Sequence, residues 1–193
     1  MAEIEKEREV IEESGGGVTL CGGEPLMHPA YCAELLDELG RRNFHRCVDT
    51  TLYASEATVR DIVTRCELLL VDLKLMDAEA HKRFTGVSNE LILKNIQLVS
   101  ELRVPFWIRI PLIEGVNADD ANISATADFL ASLPNLPEQV NLLPYHDIGK
   151  GKHDRMGTIY NPEAIPMSTP SDERIEACRS ILLSRNIPAI IGG

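Results

Sequence analysis

Ionisable residues recur at the same relative place along this chain, each just past an apolar stretch. A short apolar stretch runs into Gly22-Gly23-Glu24-Pro25; Asp49 and Thr50 end a second, and Asp72 and Lys74 a third. Arg109 lies toward the end of a fourth, and His146 follows a fifth. Such a mixed-sign set suits a small ligand with charges of both signs, such as the ammonium and carboxylate of an amino acid. Gly22 and Gly23 let the backbone approach a ligand closely and expose N–H and C=O groups to it. A second chemistry is a Schiff base at Lys74, but Asp72 beside it favours the charged, non-nucleophilic ammonium. Each residue also has a plainer reading. Asp72 and Lys74 are two apart, share a strand face, and could be a salt bridge sealing a barrel mouth. Arg109 could serve only to pair with Asp72, and His146 could be a hydrogen-bonded structural histidine.

Two phosphate-binding patterns are excluded. Gly17 and Gly22 have the spacing of a P-loop, but Gly23 and Glu24 stand where Lys and Ser or Thr are needed. The pattern G-x-G-x-x-G does not occur. The five cysteines, Cys21, Cys32, Cys47, Cys66 and Cys178, are scattered and contain no C-x-x-C pair. They read as reduced, mostly buried thiols, with no zinc site written locally.

The elements that position these residues alternate in type. Residues 3–13 read as a helix ended by Gly15, Gly16 and Gly17, and residues 18–21 as a brief strand. Pro29 starts a helix with Leu35, Leu36 and Leu39 on one stripe and Gly40 near its end. Residues 45–50 form a strand, and Ser55 caps a helix to about Arg65. Leu68-Leu69-Leu70-Val71 is the solid apolar run of a buried parallel strand. Helical segments near 78–84 and 89–102 precede a strand over 106–111; residues 119–132 are helical and 139–143 form a fifth strand. Thr169 caps a last helix, with Pro170 at its first position, running to about Arg185. Residues 187–191 close the chain as an extended segment. Pro144 to Ser168 has little regular patterning and carries Gly149-Lys150-Gly151-Lys152-His153. It reads either as a packed surface loop or as a cover over the site or a docking surface.

Strand–helix alternation of this kind is an α/β fold with a parallel sheet, whose chemistry sits at the C-terminal strand ends. An eight-stranded barrel needs about 250 residues. A chain of 193 residues, with no composition break, fits one domain over 1–193 and an incomplete parallel (β/α) barrel of about five to six strands. The 19 basic against 30 acidic residues give a net charge of −11, which argues against nucleic-acid partners. No apolar run is long enough to span a bilayer. The charged N-terminus resembles neither a signal nor a transit peptide, so a cytoplasmic location is expected.

The chain resembles the glycyl-radical-enzyme activating enzymes, the pyruvate formate-lyase activating enzyme family of the radical S-adenosylmethionine (SAM) superfamily. The matching stretches are Gly17-Val18-Thr19-Leu20-Cys21-Gly22-Gly23-Glu24-Pro25, Val48-Asp49-Thr50, Val71-Asp72-Leu73-Lys74, Thr85-Gly86-Val87-Ser88-Asn89, Trp107-Ile108-Arg109-Ile110-Pro111 and Leu142-Leu143-Pro144-Tyr145-His146. They follow the family's order from about residue 15 to the end. The resemblance implies that Gly22, Gly23 and Glu24 line the SAM amino group. Asp72, Lys74 and Arg109 surround its carboxylate, and His146 lies near the nucleoside. Asp49, Thr50 and Asp72 match positions that bind a monovalent cation, sodium or potassium. The implied chemistry is a 5′-deoxyadenosyl radical, made from SAM at a [4Fe–4S] cluster, that takes hydrogen from a glycine of a partner glycyl radical enzyme. A flavodoxin or ferredoxin is the implied electron donor.

The family's C-x-x-x-C-x-x-C loop, which supplies three thiolates, does not occur here. In the family that loop would precede residue 1, so this chain reads as the C-terminal portion of such an enzyme. The cluster is then expected only in a full-length parent, and the chain alone is expected to be inactive, with no iron–sulfur ligands and no identifiable catalytic residue. The alternative is a cluster-free SAM-binding or partner-binding scaffold. An open barrel also leaves an edge strand uncovered, for which self-association or a loosened N-terminal region is the expectation.

Overall fold

The computed structural model describes residues 1–146 and 166–192. Six strands form one parallel sheet: β1 (Val18–Leu20), β2 (Arg46–Thr50), β3 (Leu68–Asp72), β4 (Phe106–Leu112), β5 (Gln139–Pro144) and β6 (Ala189–Ile191). They lie in chain order, β1-β2-β3-β4-β5-β6, and every neighbouring pair is parallel. The ends of this series do not pair, so the sheet is an open (β/α) barrel, as the repeated strand–helix pattern implies.

The helices are α1 (Ala2–Lys6), α2 (Arg8–Ser14), α3 (Pro29–Arg41), α4 (Glu56–Val63), α5 (Ala78–Thr85), α6 (Glu90–Glu101), α7 (Asp120–Ala131) and α8 (Asp172–Leu183). Their apolar stripes meet one face of the sheet. Leu36 and Leu39 of α3, Val59 and Ile62 of α4, and Ile96 and Val99 of α6 are fully buried with Val48, Leu69, Val71, Ile108, Ile110, Val140 and Leu142 of the strands. Alternation along each strand turns Asp49, Asp72, Arg109 and Asn141 to the opposite, open face.

Local differences from the sequence reading have physical causes. The N-terminal helix is two, broken at Glu7, whose N–H bonds back to Ile4 as a tight turn. Arg8 lies over the Phe44 ring, 4.1 Å from its centroid, and ties to Glu5 and to Arg42 O. Gly40 is the penultimate residue of α3, near its end as expected, and a side chain there would strike the Arg46 guanidinium. β4 and β5 each run one residue further, through the Leu112–Pro144 pair. The extended tail is a true sixth strand, with Ala189 beside Val140.

The last helix is capped by Ser171, not Thr169: Ser171 Oγ accepts from Arg174 N at 3.2 Å. Thr169 instead donates to Tyr145 O at 2.6 Å, and Pro170 is buried ahead of the helix. That helix also stops at Leu183. Most of the unpatterned stretch expected as a cover or docking surface, residues 147–165 with its Gly149–His153 cluster, lies outside the described residues. The described residues include no helix long and apolar enough to cross a membrane.

Candidate functional site

Four of the predicted residues meet in one chain of ion pairs on the open face. β3 and β4 pair in a register that sets Asp72 beside Arg109. The Arg109 guanidinium reaches Asp72 Oδ1 at 3.1 Å through both Nε and Nη2, and Asp49 Oδ1 at 3.0 Å through Nη2. Lys74 Nζ reaches the other oxygen of Asp72 at 3.2 Å. These side chains keep between 21% and 34% of their surface in solvent. Two anions and two cations stand together, so a ligand bearing both signs finds partners for each.

Asp49 is the strained member. Burial pushes its carboxyl above the usual carboxylate range, Arg109 pulls it back, and Asp72 and Glu24 add to the rise as like charges. A positive group arriving at Asp49 would relieve this.

Glu24 reaches the same rim with its carboxylate already occupied. Oε1 accepts from Thr50 Oγ1 at 2.6 Å and Leu26 N at 3.2 Å. Oε2 accepts from Thr51 N at 2.8 Å and Thr51 Oγ1 at 2.6 Å. Those bonds use the four acceptor positions of a carboxylate, so the side chain of Glu24 ties the β1 exit to the β2 exit. What remains available there is backbone. Gly22, at φ +144°, and Gly23 are exposed, with nothing within 4 Å of where a side chain would sit. Gly22, Gly23, Asp49, Thr51, Asp72 and Arg109 line one cavity of about 320 Å³. A second, of about 240 Å³, shares Thr51 and Asp72 and is bordered by Lys74 and His81.

Thr50 and His146 stand differently. Thr50 borders the same cavity as Asp49, with its hydroxyl already engaged: it donates to Glu24 and accepts from Leu52 N at 2.9 Å. His146 is exposed beyond the end of β5 and, among the described residues, makes no ion pair with the Asp49–Lys74 chain.

Several residues of this region escape the sequence reading. Thr51 follows Thr50 and gives Glu24 two of its bonds. Asn141 pairs in register with Arg109 and is buried; its position between Val140 and Leu142 was the available signal. His81 is buried, with Nδ1 2.7 Å from Val87 O.

The donor set suits SAM, whose methionine end is a zwitterion and whose sulfonium is a cation. It does not suit a three-thiolate cluster. Cys21 is exposed, Cys32, Cys47 and Cys178 are buried free thiols, and burial pushes the Cys66 thiol up to about 12. Among the described residues, which include every cysteine, no three His, Cys, Asp or Glu side chains gather as a metal-binding group.

Comparison with known proteins identifies the family of the chain. Residues 1–127 match the radical SAM superfamily. The chain is 40% identical over 192 residues to the trans-4-hydroxy-L-proline dehydratase activating enzyme of Clostridioides difficile, covering 99% of this chain and 63% of that protein. It is 33% identical over 188 residues to the pyruvate formate-lyase-activating enzyme of Staphylococcus epidermidis, covering 94% of this chain and 74% of that protein. A crystal structure of a domain of the pyruvate-formate lyase-activating enzyme from Bacteroides vulgatus superposes with a TM-score of 0.80 at 50% identity, over 92% of this chain and 99% of that one. The chain thus spans less than two thirds of the first of these relatives. With the superfamily matched over most of its length and activating enzymes among its relatives, the chain belongs to the glycyl-radical-enzyme activating enzymes of the radical SAM superfamily.

Proposed function

We propose that this chain forms, as one domain, the SAM-cradling portion of a glycyl-radical-enzyme activating enzyme. The observation that carries the reading is that Asp49, Arg109 and Asp72 face the exposed backbone of Gly22 and Gly23 across one cavity, with Lys74 paired to Asp72 at the border of the adjoining one. In this reading the carbonyl groups of residues 22–24 receive the SAM ammonium. Arg109 and Lys74 hold its carboxylate, and His146 lies toward the nucleoside. A sodium or potassium ion would be held by Asp49, Asp72 and Thr50, and Arg109 would then shift from between the two aspartates. SAM, once bound, supplies the carbon radical precursor and the amino-acid anchor. The chain's own residues bind and orient it. They do not supply the three thiolates of an iron–sulfur cluster, so radical generation is not among the tasks these residues perform. The whole enzyme would act in the cytoplasm on a glycyl radical enzyme, with a flavodoxin or ferredoxin as donor.

A second reading, a cluster-free SAM-binding or partner-binding scaffold, draws on the scattered cysteines. Reconstitution of the chain with iron and sulfide separates the two from a self-sufficient enzyme. No stable [4Fe–4S] absorbance is expected, and a cluster that cleaves SAM reductively would contradict both. Titration calorimetry with SAM tests the cradle itself. Saturable binding is expected, weakened about tenfold or more by Asp72→Ala or Arg109→Ala, since each removal leaves a half-buried charge without its partner. Affinity unchanged from the unaltered chain in both variants would refute the assignment.

A further inference from the structure

Three buried asparagines outside the ion-pair chain repeat one device. Each turns both hydrogens of its side-chain amide onto two backbone carbonyls at or just past the strand ends of the rim. Asn95 Nδ2 donates to Leu52 O at 2.8 Å and Ala54 O at 2.9 Å, past β2. Asn89 Nδ2 donates to Leu75 O at 2.9 Å and Met76 O at 2.8 Å, past β3. Asn117 Nδ2 donates to Lys74 O at 2.8 Å and Pro111 O at 2.6 Å, joining the ends of β3 and β4. The three are 0 to 2% exposed. Because both partners of each amide are carbonyls, its nitrogen must face them.

Asn117 has the most direct geometry. The β3–β4 ladder makes a bond from Leu73 N to Arg109 O at 3.0 Å. The strands then separate, and the Asn117 amide stands between them as a substitute rung. Its Oδ1 accepts from Ile113 N at 2.8 Å, so one side chain fixes both strand ends. Asn122 locks the arrangement, donating to Asn117 O at 3.0 Å and accepting from Met76 N at 2.9 Å. The backbone that carries Lys74 is therefore held relative to the strand that carries Arg109. Asn95 does the same for the β2 exit, where Leu52 takes a left-handed backbone at φ 58°, which residues with a side chain avoid.

We propose that Asn89, Asn95 and Asn117 are positioning residues of the rim, holding the β2, β3 and β4 exits so that the charged side chains meet in one geometry, with Asn117 the principal one. This rests on the reading of the rim as a SAM cradle. A clamp at the other end of the strands, with Ser100 buried and Asn135 half-buried, supplies the control: Ser100 Oγ donates to Asn135 O at 2.7 Å, and Asn135 Nδ2 to Ser100 O at 2.8 Å. It joins the end of α6 to the segment before β5, away from the rim.

The test compares SAM affinity by calorimetry in Asn117→Ala and Asn135→Ala, each shown folded by circular dichroism at the temperature used. A displacement of the Lys74 and Arg109 strand ends is expected to weaken SAM binding about tenfold in Asn117→Ala. Asn135→Ala, which removes a side-chain amide bonded to a backbone carbonyl away from the rim, is expected to change it less than about twofold. Equal changes in the two variants, or none in Asn117→Ala, would overturn the proposal. If the unaltered chain binds no SAM, the reading of the cradle fails, and the positioning claim is judged without ligand. The Lys74 Nζ and Arg109 Nε resonances must then shift in Asn117→Ala and stay in place in Asn135→Ala; unshifted resonances in both would overturn it.

Discussion

The two ends of the same parallel sheet treat charge in opposite ways. At the N-terminal end of β2, Arg46 and Glu67 form a close ion pair backed by Arg46 N, which donates to Glu67 Oε2 at 2.6 Å. The Arg46 guanidinium also donates to Leu36 O and lies against Gly40. That pairing holds the Glu67 carboxyl below the usual carboxylate range. At the C-terminal end of the same strand, burial raises Asp49 despite its bond to Arg109. One carboxylate stabilises the fold in its charged form, while the other is kept charged at a cost. Unfavourable ionisation of this kind is what the proposed binding rim calls for, and the Arg46–Glu67 pair at the floor of the same strand shows the opposite shift.

The contrast can be broken most forcefully at the floor. Arg46→Ala is expected to lower stability by about 1–2 kcal/mol, through the lost bonds to Glu67 and Leu36 and the space left beside Gly40. Chemical denaturation measures this, and SAM affinity should be unchanged. At the rim the sign reverses: Asp49→Asn should leave the melting temperature equal to or slightly above that of the parent chain while weakening SAM binding, a trade of stability for function. A clear fall in melting temperature would show that Asp49 is structural after all.

The smallest effect lies in pH dependence, where the two carboxylates must differ in sign. The folded-state pKa of Glu67 is lowered, so its contribution is fully present above its unfolded value and is lost as pH falls through the folded one. The folded-state pKa of Asp49 is raised, so its penalty is fully present above that value and disappears as pH falls below it. The melting-temperature difference between Glu67→Gln and the parent should therefore be negative at neutral pH and shrink toward zero on acidification. The difference for Asp49→Asn should be non-negative at neutral pH and also shrink. Two differences of the same sign would erase the contrast.

Much of this was legible in the sequence, for identifiable reasons. Apolar runs such as Leu68–Val71 define buried strands without tertiary information, and Ser55, whose Oγ accepts from Thr58 N, is a cap readable from local chemistry. The rim residues were legible because strand ends share a place in the parallel repeat. The engagement of Glu24 was not, because its partners Thr50 and Thr51 lie a full strand–helix unit away. Nor were the asparagine clamps, since a residue type does not state which distant carbonyls it will meet. Asn95 did leave a trace, as a polar residue on the apolar stripe of Ile92, Ile96 and Val99. Ser171 displaced Thr169 as the cap because Tyr145 O, remote in sequence, takes the Thr169 hydroxyl.

The most direct test of the cradle is SAM titration calorimetry on three proteins: the unaltered chain, Arg109→Ala at the rim and Arg46→Ala at the floor. Saturable binding to the unaltered chain, at least about tenfold weaker in Arg109→Ala and the same within about twofold in Arg46→Ala, is the expected result. No binding to the unaltered chain, or losses of equal size at both ends of the sheet, would contradict it.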